Sequence, residues 1–267
     1  IHPRKRAVRG GVGCVIDLKT VIGSRVGTSI QVGRLIIPAA SQADYWSRFA
    51  EPCLLYNEGF EPYELSISGS LTLVKIHDRY FAISTQHQLA IQSYNYDQVS
   101  LTDKTSQTMT TSHAAFFPED KNRELDCLIY EFTDVRNEGK LPEHSWFDLT
   151  SQFNNRSRIK VMSVYAIGYP GYRNHIDYCK SHYGISPNGI YGEPSDTSIS
   201  GRHAFKPKHS LDYEPSGMSG GPVFGLSLTP NGVIGFFAGI ITDATKSQFH
   251  YLGFSRIFLL FDHLLSR

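Results

Sequence analysis

The 267-residue chain is predicted to be an all-β protein closed by a C-terminal α-helix. Three observations carry that prediction. Runs rich in β-branched and aromatic residues recur along the chain, bounded by Gly, Pro, Asn and Asp. Two of them, Leu71 to Ile76 and Tyr80 to Ser84, flank His77-Asp78-Arg79 like the arms of a hairpin. Near the end, Ile257, Leu260, Phe261 and Leu264 fall at i, i+3, i+4 and i+7 after Ser255. That spacing predicts a capped amphipathic helix over 255–266.

In chain order, Pro3-Arg4-Lys5-Arg6-Ala7-Val8-Arg9 is a short basic run, read as a solvated tail rather than an address or a phosphate contact. Residues 38–63, with a helical turn at Ala43 to Phe49, read as an insertion. The hairpin follows, and its second arm runs on to His87. Asp126 then heads an apolar run from Cys127 to Tyr130, where a carboxylate with no partner would be costly to bury. Ile159 to Val164 and Val233 to Ile241 read as further strands, and Gly168-Tyr169-Pro170 as a turn between them. Residues 180–210, rich in Gly, Ser, Pro and His, are expected to form a long loop beside a functional face.

Composition bounds the function. A formal net charge of +1, from 26 basic and 25 acidic residues, gives no global field for nucleic acid or a membrane surface. No apolar stretch approaches the length of a membrane span. No cysteine pair has C-x-x-C spacing, so a zinc site is not expected, and no metal or cofactor is called for. With 40% hydrophobic residues the chain can bury one substantial core or two fused ones.

The most informative segment is Ser216-Gly217-Met218-Ser219-Gly220-Gly221-Pro222-Val223-Phe224. Glycines on both sides of Ser219 permit a tight turn that turns its hydroxyl outward and gathers main-chain N–H groups. A nucleophile beside an anion-binding nest is what acyl transfer requires. Gly217 to Gly221 also satisfies G-x-S-x-G, the elbow of α/β-hydrolases, which follows an apolar strand and precedes the acid and the histidine. Here Leu211-Asp212-Tyr213-Glu214-Pro215 is polar and broken by proline, and too few residues follow Ser219 for that fold. The order His, Asp, Ser is present instead, in His87, Asp126 and Ser219.

Further segments extend that order. Tyr80 to His87 resembles an apolar strand ending in Thr-Ala-Ala-His, with Gln86 in place of the small residue. Glu124-Leu125-Asp126-Cys127-Leu128 resembles an Asp-Ile-Ala-Leu strand. Gly239-Ile240-Ile241-Thr242 is similar to a strand that runs beside substrate, and Leu252-Gly253-Phe254-Ser255 precedes the terminal helix. From about residue 65 to 267 the chain resembles the trypsin-like (chymotrypsin-fold) serine peptidases, closest in style to the disulfide-free intracellular domains of bacteria. The resemblance implies two six-stranded antiparallel β-barrels. Residues 1–155 would carry His87 and Asp126, and residues 156–267 would carry Ser219 and the helix. It implies Ser219 as nucleophile, His87 as general base, Asp126 as its orienter, and the N–H groups of Gly217 and Ser219 as the oxyanion hole. It also implies a protein or peptide substrate, with Thr242 where the family has a serine that supports the aspartate.

Departures from the pattern refine the expectation. The aspartate that precedes the nucleophile in secreted members is Met218 here, so a charge-paired activation switch is absent. That favours, as the alternative to a constitutive endopeptidase, a regulated effector or a silent binding domain whose oxyanion loop needs a partner or further domains. Gln88 stands where the family has a cysteine, and Cys14, Cys53, Cys127 and Cys179 occupy none of its disulfide positions. Few cysteines outside a framework point to a reducing, cytoplasmic compartment, with secretion as the alternative. The pocket position six residues before Ser219 is Tyr213. With Asp212, Glu214, Thr242 and Asp243 nearby, a basic or mixed preference is expected.

Overall fold

The structure is a computed structural model and describes residues 29–56, 65–90, 99–102, 109–116, 125–141, 143–154, 159–177 and 182–266. The basic run at 3–9, Cys14 and Cys179 lie outside the described residues.

The described chain opens on a hairpin of β1 (Ser29–Val32) and β2 (Leu35–Pro38), followed by the short helix α1 (Gln42–Ser47). The first large sheet is built from β3 (Ala50–Tyr56), β4 (Leu65–Ile76), β5 (Arg79–Ser84), β6 (Ser100–Thr102), β7 (Met109–Thr111), β8 (Ala114–Phe116), β9 (Leu128–Glu131) and β10 (Phe147–Asp148). Short helices α2 (Gln86–Ala90), α3 (Thr133–Asn137) and α4 (Thr150–Asn154) interrupt it. In space the order is β7-β6-β3-β4-β5-β9-β8, with β10 parallel to β4. The predicted hairpin is β4 and β5, antiparallel from Thr72↔Ile83 to Ile76↔Arg79.

The second half contributes β11 (Ser163–Gly168), a small hairpin of β12 (His175–Asp177) and β13 (His182–Gly184), then β14 (Asn188–Ser195), β15 (His203–Pro207), β16 (Pro222–Thr229), β17 (Gly232–Ala244), β18 (Phe249–Gly253) and the helix α5 (Phe254–Leu265). The pairings β16-β11-β14-β15-β18-β17 return to β16 and close a six-stranded antiparallel barrel. The all-β class with a terminal helix is therefore as expected, and the second barrel closes. The first sheet is a curled half-barrel, and among the described residues its ends β7 and β8 do not pair.

Three local readings differ. The segment expected as an insertion contains β3, which pairs with β4 over seven residues and also with β6, so part of it is sheet interior. Pro52 and Cys53 obscured the strand pattern of Ala50 to Tyr56, although Cys53, Leu54 and Leu55 are buried. The segment expected as a loop at 180–210 supplies β14 and β15 of the barrel wall. Its glycines are packing positions: the Tyr165 and Phe205 rings lie directly over Gly189 and Gly192. Finally, α5 begins at Phe254 after Gly253, with no side-chain cap, so Ser255 lies inside the first turn. Its apolar stripe is as predicted, with Ile257 and Phe261 fully buried.

The main core lies between the two halves. Trp46 of α1 stacks on Phe224 of β16 at 4.2 Å, and Phe261 of α5 meets Phe81 of β5 edge-on at 5.1 Å. β1 pairs in parallel with β17, so the opening hairpin is joined to the barrel sheet. Burying such large aromatic surfaces is the main term that holds the halves in register. Among the described residues, no helix is long and apolar enough to cross a membrane.

Candidate active site

The site forms where the two sheets meet. β5 ends at Ser84, so His87 lies not in a strand but in the first turn of α2. Asp126 precedes β9 by two residues in a left-handed conformation, φ +37°, which is unfavourable for a non-glycine residue. That backbone turns its carboxylate back toward α2. Asp126 Oδ1 accepts the His87 backbone N–H at 2.9 Å, and Oδ2 lies 2.7 Å from His87 Nδ1. One carboxylate thus fixes both the start of α2 and the plane of the imidazole. Burial of the ring pulls its pKa down. The hydrogen bond and charge of Asp126, with the charge of Asp243, outweigh burial and an opposing Arg202, and leave His87 above the ordinary imidazole value.

Ser219 sits on the turn that leads into β16. Gly220, φ +83°, is forced to be glycine, because a Cβ there would overlap the Ser70 carbonyl. The turn is gripped from the first sheet. Ser70 Oγ donates to Gly217 O at 2.8 Å, Thr72 Oγ1 to Gly220 O at 2.8 Å, and the Ser70 N–H to Ser219 O at 3.0 Å.

Two peptide planes of the turn are set by their carbonyls. Ser216 O accepts from Gly171 N–H at 2.8 Å, and Met218 O from Gly221 N–H at 3.1 Å. In a trans peptide the N–H points opposite to the C=O. The N–H groups of Gly217 and Ser219 are therefore aimed away from those bonds, and among the described residues neither has an acceptor. Between them Met218 is fully buried in the core of the second barrel, with Val164, Ala166, Val223 and Ile241.

His87, Ser219 and Gly217 line one cleft of about 550 Å³, together with Glu214, Thr242 and Asp243. Two carboxylates and no lysine or arginine face it. Tyr213 is not on its wall: its ring packs on Tyr172 at 4.4 Å, and its hydroxyl pairs with Asn188. Asp212 is exposed and is likewise not on the wall. The Thr242 hydroxyl is buried and makes no hydrogen bond among the described residues, so it does not reach the aspartate. Its carbonyl instead accepts from Ser219 Oγ at 3.1 Å, and the serine hydroxyl makes no bond to the imidazole. Cys127, next to Asp126, and Cys53 are free and buried; burial pushes the Cys53 thiol up to about 12 and Cys127 higher still. Neither is a nucleophile at neutral pH. No group of His, Cys, Asp and Glu among the described residues could hold a metal ion.

The sequence did not point to Ser70 or Thr72, which hold the Ser219 turn, and it marked Gln88 only as a departure from the family pattern. The apolar Met218 in an otherwise polar, glycine-rich turn marks a buried anchor.

Fold and site together define a chymotrypsin-type β-barrel protein with a histidine, an aspartate and a serine at the junction of its sheets. Solved structures agree on the fold. Human heparin binding protein has a TM-score of 0.51 at 12% identity, covering 82% of this chain and 92% of its own. An atomic-resolution structure of HBP gives 0.52 at 10% identity over the same shares. At such identities the likeness carries the fold and not an activity. No family model and no curated protein matches the sequence.

Proposed function

We propose that the chain is a serine endopeptidase, hydrolysing peptide bonds of a protein or peptide substrate through His87, Asp126 and Ser219. The observation that carries this reading is the two-point seat of Asp126 on His87, in one cleft with Ser219. With Nδ1–H given to Asp126, the imidazole keeps its Nε2 lone pair free as a base. For attack, the Ser219 hydroxyl leaves Thr242 O and passes its proton to Nε2 while Oγ bonds to the substrate carbonyl carbon. The carbonyl electrons move onto oxygen, which the N–H groups of Gly217 and Ser219 receive; each such donor contributes about 3–4 kcal/mol in comparable sites. Collapse expels the amine, which takes the proton from His87, and water repeats the sequence on the acyl-enzyme to release the acid. No cofactor takes part.

Asp243 on the cleft wall supports a preference for a basic residue near the scissile bond, while Glu214 beside it is already paired with Lys246 at 3.2 Å. The free cysteines Cys53 and Cys127 support a reducing, cytoplasmic setting. A second reading, a regulated effector that a partner completes, is favoured by one observation: the Ser219 hydroxyl rests on Thr242 O rather than on the imidazole.

A fluorophosphonate probe tests both, since it needs an activated serine and loses fluoride as Oγ bonds to phosphorus. The parent chain is expected to label and to cleave peptides, and Ser219→Ala to do neither. Labelling only in the presence of a partner favours the regulated reading. Undiminished cleavage by Ser219→Ala would sink the proposal.

A further inference from the structure

The residue after the imidazole is a glutamine that faces the protein. Gln88 is 8% exposed, and its Nε2 donates to the Ser219 carbonyl at 2.7 Å. The backbone of Gln88 is itself tied down, because Ser68 Oγ donates to its carbonyl at 3.0 Å. Gly69 lies flat against the amide group: a Cβ there would overlap Nε2, Cδ and Oε1 of Gln88. At the other end of the amide, Oε1 lies 3.4 Å from Ser84 Oγ. Turning the amide over would set oxygen against the Ser219 carbonyl and nitrogen against Ser84, so only one orientation adds a second donor to the Ser70 N–H that Ser219 O already accepts.

We infer that Gln88 is a positioning residue, a strut that sets the nucleophile turn against the base; the inference rests on the peptidase reading above. His87 and Gln88 are consecutive, and the strut ends on the nucleophile's own carbonyl. Any withdrawal of the turn from the imidazole must break this bond. Gly69 is part of the device, since the strut fits only where the facing residue lacks a side chain. Among the residues that grip the turn, Gln88 is the one that ties it to the helix bearing the base.

Two variants test the assignment through the kinetics of fluorophosphonate inactivation, resolved into kinact and KI, with the labelled fraction at completion. Gln88→Met keeps the length without a donor, and Gln88→Glu keeps the shape but is acceptor-only when ionised. Both are expected to lower kinact roughly tenfold, the scale of one buried hydrogen bond, with KI unchanged and the whole population still reacting. Parental kinact in either folded variant overturns the assignment, even if fewer molecules react or melting falls, since that pattern is loss of folded protein. If one variant fails to fold, the other decides. A parent chain that never labels strikes the peptidase reading itself and takes this assignment with it, whereas a labelling parent with unaffected variants strikes Gln88 alone.

Discussion

Truncating Met218 to alanine separates the hydrophobic anchor of the nucleophile turn from the turn's own chemistry. Met218 is fully buried among Val164, Ala166, Val223 and Ile241, and its backbone lies against Gly168. Met218→Ala deletes the end of a buried side chain in a packed cluster. The lost transfer energy and the cavity together come to about 2–5 kcal/mol. For a chain of this size about 2–4 °C of melting temperature accompanies each kcal/mol, so Tm should fall by roughly 4–20 °C. Because Met218 lies between Gly217 and Ser219, the cavity also frees the two amides. The labelling rate constant should therefore drop at temperatures well below the new Tm. Met218→Leu, which nearly conserves volume, should cost less than about 1.5 kcal/mol and keep most of the rate. Thermal melts paired with fluorophosphonate kinetics supply both readouts. A Tm loss below about 2 °C would refute the anchor, and a lowered Tm with an untouched rate constant would refute its coupling to the turn.

Two further outcomes follow from the charges of the site and sheet. Protonated His87 cannot accept the serine proton, so kcat/KM should rise with pH through a pKa above the ordinary imidazole value. Asp243→Asn removes one of the charges that raise it. The acid limb of the profile should move to lower pH, and cleavage beside Arg or Lys in a fluorogenic peptide panel should weaken roughly two- to fivefold. An unmoved limb, or best cleavage after Phe or Leu, contradicts this. In the first sheet, Arg79 grips Glu131 with two bonds, Nε to Oε1 at 2.8 Å and Nη2 to Oε2 at 2.7 Å. Burial pushes the Glu131 carboxyl up, but bonds from Arg79 and Thr133 outweigh it and leave the group below its usual value. Stability from this pair is then complete above the ordinary carboxylate value and is lost as pH falls through the depressed one. Arg79→Met should cost about 1 kcal/mol at pH 7, after allowing for the partly exposed guanidinium, and the deficit should shrink in acid. Urea melts at both pH values check it, and a deficit that does not change with pH speaks against the linkage.

What could be read from the sequence was short-range. The glycines around Ser219 and the stripe Ile257, Leu260, Phe261, Leu264 have local causes, so the turn and the helix were visible. The residues at the junction were visible as types but not as contacts. Asp126 was expected to open a strand, yet its left-handed backbone, fixed by a bond to the His87 N–H, lies outside any sequence pattern. β14 looked like a loop because its glycines answer to rings of Tyr165 and Phe205 on neighbouring strands, and composition alone cannot distinguish a packing glycine from a flexible one. Tyr213 lies off the lining of the cleft, its ring packed on Tyr172, a contact between residues distant in sequence. Ser70, Thr72 and Gln88 are ordinary polar residues until the second barrel brings the turn against them.

That last dependence also sets when, during synthesis, the turn can take its shape. The turn bearing Ser219 takes its shape from Ser70 and Thr72 on one side and from Ile241 on the other, whose carbonyl accepts the Gly220 N–H at 2.8 Å. Ile241 leaves the ribosome after Ser219, so a nascent chain that already contains the whole His, Asp and Ser set still lacks the frame that shapes the turn. On the proposed peptidase reading, a half-made chain would therefore carry all three residues without a formed site during synthesis.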